Sequence, residues 1–120
     1  TSTVFQAHHK EDDSQAALGY NDSKDLAQGT GAQILTVDGM NDNDSSICGY
    51  VILYNPSSTT FVKHFIGDSQ GMGDSSPPST MQRLVAGYAN VTAAIDGVQF
   101  AMSSGNIDSG TIKMYGIKDS

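Results

Sequence analysis

The sequence predicts an all-β fold, a jelly-roll-like β-sandwich of about seven strands joined by long polar loops. Three observations lead there. Apolar and polar residues alternate with a period of two in several short stretches, most clearly over 95–103 and 110–118, and that period marks half-buried strands. The acidic residues are twelve Asp and one Glu, beside 13 Gly; Asp, Asn, Ser and Gly belong in turns and caps, whereas Glu, Lys and Ala fill helices. Turn signals recur roughly every eight to twelve residues with no helical pattern between them, which excludes alternating α/β architectures.

The elements follow in order. Residues 2–9 alternate, with Val4, Gln6 and His8 opposing Phe5, Ala7 and His9. Residues 10–32 are polar and Gly-rich and read as loop, with at most a helical turn around Ala16–Tyr20. Gln33–Asp38 reads as a strand ending at the turn pair Asp38-Gly39. Residues 41–46 are loop, and residues 47–55 form the most hydrophobic strand, expected at the centre of a sheet. Pro56-Ser-Ser58 makes a turn into a second central strand over 59–67, so the two form a hairpin. Residues 68–80, with the Pro77-Pro78 pair, read as a long flexible loop. Met81–Asn90 fits both periods, and Gly87 within it favours strand over helix. Strands over 95–103 and 110–118 complete the sheet.

Alternation assigns the core to Val51, Leu53, Val62, Ile66, Val98, Phe100, Ile112 and Met114, and a register slip of one residue would invert any of these strands. Cys48 lies in the apolar run Ile47–Tyr54 and reads as a buried small hydrophobe. It is the sole cysteine, so no internal disulfide framework exists.

Residues 1–120 read as a single domain with a thin core. The first residues already alternate like the middle of a strand, so the expectation is either that an initiator Met is removed or that N-terminal strands of a longer protein precede them. The net charge of −7 repels phosphate backbones and argues against nucleic-acid partners. No apolar run is long enough to insert in a membrane as a helix.

Several motifs could carry chemistry. Gly67-Asp-Ser69-Gln-Gly71 matches the G-x-S-x-G pattern of hydrolase nucleophiles. That chemistry needs Ser69 on a strand-to-helix elbow beside a His base, and the following Met-Gly-Asp-Ser-Ser-Pro-Pro cannot be helical. Catalytic residues are therefore expected to be absent. His8 and His9 face opposite sides of a strand and cannot share one metal; His64 reads as a sheet histidine. Asp38, Asp42 and Asp44 offer hard oxygens for calcium. The EF-hand order fails, however, so a solvated loop without cofactor is the expectation. Asn21-Asp-Ser, Asn43-Asp-Ser and Asn90-Val-Thr match the glycosylation sequon by chance.

The segments Leu53–Phe65, Ala86-Gly-Tyr-Ala-Asn90, Ile95–Phe100 and Ser103–Lys113, with Tyr115-Gly-Ile117 and Asp25–Gly31, together resemble a family of small structural proteins of tailed bacteriophages, frequent in marine phages. The resemblance spans most of the chain after about residue 8. The Ser-Gly-Asn-Ile…Ser-Gly-x-Ile-x-x-Tyr-Gly ending is specific only in combination. It implies a virion component of tail-fibre or capsid-decoration type, made in the host cytoplasm. It further implies association with itself, a trimer being the expected form, and with other virion proteins, and a contribution to host attachment through surface glycans. It supplies no catalytic residues. The alternative is a lectin-like carbohydrate-binding module of a secreted bacterial protein, in which Tyr20, Tyr50 and Tyr88 would stack on sugars, although the absence of Trp counts against it. A hydrolase using Ser69 is the third reading.

Overall fold

The computed structural model describes residues 1–37, 42–73 and 76–118. Its described residues are all-β: five antiparallel strands in one open sheet, with no helix. The strands are β1 (Ser2–Lys10), β2 (Ala16–Tyr20), β3 (Ile47–Leu53), β4 (Lys63–Gly73) and β5 (Ser79–Ala89). They lie in the order β2-β1-β5-β4-β3.

β1 alternates as its sequence predicts, pairing Val4 with Val85 and Phe5 with Leu84 of β5. The turn from β1 to β2 is held by Asp12, whose Oδ1 accepts from the Ser14 amide at 3.0 Å. Hydrogen bonds from the Ser14 side chain and backbone hold the Asp12 carboxyl below its ordinary range. The stretch read as a helical turn is strand β2, because Phe5 and Tyr20 face each other in register and meet edge to face at 5.6 Å. The expected hairpin is present as β3 and β4, with Ser58 donating to the Asn55 carbonyl in its turn. β3, however, is an edge strand and not a central one.

Two faces result. One, the inner face, carries Ser2, Val4 and Gln6 from β1, Val85 and Arg83 from β5, and Gly67, Ser69 and Gly71 from β4. Residues 21–37 lie over it. Ser2 exchanges backbone and side-chain hydrogen bonds with Leu26 at 2.8 and 2.9 Å, and its Oγ donates to Gln33 Oε1 at 2.6 Å. Among the described residues, Val4, Val37 and Val85 are the buried hydrophobic ones.

The strand expected over 33–38 is absent up to Val37, while Asp38 and the Asp38-Gly39 turn lie outside the described residues. The reason is visible in its carbonyls. Leu35 O accepts from Ser69 Oγ and Thr36 O from Arg83 Nη1, so side chains of the sheet below satisfy a backbone that joins no ladder.

Two further expectations fail. The loop predicted over 68–80 is strand β4 as far as Gly73. The strands predicted over 95–103 and 110–118 do not form: residues 90–118 hold no strand. Val98, Phe100, Ile112 and Met114, assigned to the core, are exposed. Val51, on edge strand β3, is also exposed, and Ile66 is exposed because it points to the opposite face; Leu53 and Val62 are half-buried. The sheet is therefore a single layer with one cover.

Candidate binding face

The other, outer face is built from the alternate residues of the same five strands. Its register runs across Tyr20, Phe5, Leu84, Asp68 and Tyr50, and then across Ala86, Ile66 and Ile52. Beyond these lie Tyr88 and His64, with Tyr54 donating its amide to the His64 carbonyl at 2.9 Å. The His64 ring meets Tyr88 at 6.0 Å and 51°. These rings and Thr3, Ile66 and Ala86 line a shallow, open, largely apolar hollow of about 370 Å³.

The face is polar at one end and apolar at the other. At the polar end, Gln82 Nε2 donates to Asp68 Oδ1 at 3.0 Å and Gln70 Nε2 to Thr80 Oγ1 at 3.2 Å. Cys48 contacts Gln70 Oε1 there at 3.6 Å and is exposed, which corrects its expected burial. At the apolar end, Phe5, Leu84, Ile66, Ile52, Tyr54 and Tyr88 are each between 38% and 49% exposed. Scattered exposed apolar side chains are ordinary on a protein surface, but a contiguous patch is the mark of an interaction site.

Two buried cations fix the opposite side of the sheet. Arg83 is fully buried, its Nη2 donating to Gln6 Oε1 at 2.6 Å while Nη1 holds Thr36 O. Lys63 is fully buried and donates to the carbonyls of Phe61 at 2.7 Å, Thr92 at 3.3 Å and Val91 at 3.5 Å. It thereby ties the start of the C-terminal segment to the start of β4.

Of the residues singled out from sequence, Ser69 lies mid-strand in β4, facing the cover. No strand-to-helix elbow surrounds it. Gly67, Ser69 and Gly71 share the inner face because the cover sits directly above them. A Cβ on Gly71 would come within 2.7 Å of Ile47 Cγ2 and 3.1 Å of Val37 Cγ2. The G-x-S-x-G pattern is thus accounted for by packing at period two.

His8 and His9 fall on opposite faces as expected; His9 Nε2 contacts Asp13 Oδ1 at 2.9 Å. Asp42 and Asp44 are exposed, Asp42 Oδ1 accepting from the Asn43 amide at 2.9 Å. Asp38 lies outside the described residues. Among the described residues no three His, Cys, Asp or Glu side chains gather as metal ligands, and no helix is long and apolar enough to cross a membrane. Sequence reasoning missed the outer face as a unit. Its signal was the apolar character of Phe5, Leu84, Ile66 and Ile52 on the side opposite Val4 and Val85.

No family model, curated protein or solved structure matches this chain.

Proposed function

We propose that this chain is a non-enzymatic structural protein of a tailed-bacteriophage particle, of tail-fibre or capsid-decoration type, that associates with itself and needs no cofactor. The observation that supports this reading is the broad apolar face on one side of a single-layer sheet, a surface suited to association. The family resemblance of the sequence supplies the particle. In this reading the seven-strand, jelly-roll-like sandwich expected from sequence belongs to the assembled protein, where a second layer covers the first. A trimer is the form that a fibre or decoration role suggests, with host-surface glycans as a further partner. Mass spectrometry of purified phage particles, with labelled-antibody imaging, tests it. The protein should be recovered in stoichiometric copies at a fixed place on the particle; its absence from particles would refute the reading.

A second reading rests on the tyrosines. Tyr20, Tyr50, Tyr54 and Tyr88 share the outer face, and aromatic rings on one face suit stacking on sugars. A lectin-like module would bind immobilised glycans, and substitution of Tyr54 and Tyr88 by Ala would abolish that binding while leaving self-association intact.

A further inference from the structure

The C-terminal segment and the outer face share one unmet requirement. From Asn90 to Lys118 only Ile95 and Met102 are shielded from solvent, and Ile107, Ile112, Met114, Tyr115 and Ile117 are between 50% and 92% exposed. The segment leaves the sheet where the Ile95 amide donates to the Pro56 carbonyl at 2.8 Å, in the turn between β3 and β4. It reaches no ladder, although it alternates like a strand. Among the described residues no strand pairs with β3 on the side away from β4, and a seven-residue apolar edge strand invites pairing.

Surface area gives the scale of what is missing. The chain exposes 8823 Å², against roughly 6,200 Å² for a folded monomer of its mass. The excess of about 2,600 Å² per chain is on the scale of the surface that stable protein interfaces bury.

We propose that in a second copy of this chain residues 98–103 pair along the free edge of β3, while residues 110–117 cross over the outer face and lay their apolar side chains on it. The choice of a second copy over the chain's own tail comes from the tail's two sides. Ile112 and Met114 alternate with Tyr115 and Ile117, so apolar side chains project both ways, and one sheet can cover only one of them. Set between two sheets, both sides are buried and a two-layer structure results. Strand addition at an edge supplies backbone hydrogen bonds, and the alternating side chains supply specificity. Giving one tail and taking one satisfies a closed pair or a closed three-membered ring alike. This deepens the self-association proposed above and rests on it.

The full chain is tested in solution, apart from any particle. Sedimentation of the wild type should show an assembly that dissociates on dilution. The triple variant Phe100→Ser, Ile112→Ser, Met114→Ser alters no sheet residue and should weaken association about 100-fold or more. Ile66→Asp on the face should do the same with an unchanged circular dichroism spectrum. Cys48, the sole cysteine, lies on the outer face of β3 and provides the direct probe. A tagged copy carrying Cys48 is mixed with an untagged copy carrying Cys48→Ser and Ile117→Cys, and a short bismaleimide should join the two. A monomer at all concentrations overturns the inference, as does an assembly that neither cross-links nor responds to the tail variant. Particle content tests the virion reading separately: a protein that assembles this way but is missing from particles would sink that reading alone.

Discussion

The covered face of the sheet sets the buried Val4 and Val85 among small and polar residues: Ser2, Gly67, Ser69, Gly71, and two fully buried cations, Lys63 and Arg83. The bare face carries the larger apolar side chains: Phe5, Leu84, Ile66, Ile52 and four tyrosines. Small residues are required under the cover because residues 33–37 lie close against β4 and their carbonyls need donors. Large residues on the open side have no such neighbour within the chain. On the proposed reading a face of bulky apolar groups is there to be covered, so that the inner face serves the folded single chain and the outer face its association.

That contrast can be broken first at Arg83. Replacing it by Leu removes the Arg83 donor to Thr36 O and one of two donors to Gln6 Oε1, which keeps the Asn21 side-chain amide at 3.0 Å. A buried acceptor that loses its donor costs about 1–3 kcal/mol, so Arg83→Leu should lose about 2 kcal/mol in urea denaturation. A loss under about 1 kcal/mol would show that the cover is held by something other than this guanidinium.

Val85 and Leu84 are neighbours on β5 with opposite destinations, and they make a matched pair. Val85 is 2% exposed and Leu84 45%. Val85→Ala should cost about 2 kcal/mol through lost methyl burial and a residual cavity. Leu84→Ser, measured in dilute monomer, should cost about 0.5 kcal/mol, as surface changes do, yet weaken association. Equal destabilisation by the two at high dilution would mean that the outer face is already buried in the single chain.

How much of this was legible in the sequence follows from what each strand touches. β1 was readable to within one residue, because each of its faces meets a different environment and the alternation of Val4, Gln6 and His8 against Phe5, Ala7 and His9 records that. The hairpin of β3 and β4 was readable from its turn. The far half of β4 was not: Gly67, Ser69 and Gly71 look like loop or catalytic elbow until the cover above them explains why side chains must be small there. Residues 95–103 and 110–118 alternate as well as β1 does, but periodicity reports only that a strand has two sides. It says nothing of whether a partner lies within the same chain. Leu84 and Ile66 were seen one at a time, since only the pairing of five strands brings them together as a face.

The smallest effect concerns Tyr20, at the β2 rim of the bare face. Its phenol donates to an Asp25 carboxylate oxygen. That hydrogen bond, followed by minor desolvation and the charges of Asp25 and Asp22, raises the phenol above its ordinary value of 10.0. The folded chain therefore holds this proton more tightly than the unfolded chain does. The linked stability is complete below the ordinary tyrosine range and is lost as pH rises through the raised value in the folded state. Both groups are solvated at the rim, so the effect on unfolding is slight and the titration is the better readout. Asp25→Asn removes the charged acceptor and should return the phenol toward its ordinary value. Subtracting the variant's phenolate absorbance curve from the wild type's should then leave one tyrosine ionising later in the wild type. Superimposable curves would show that Tyr20 and Asp25 are not joined in solution, and that the rim of the outer face is free to rearrange when a partner arrives.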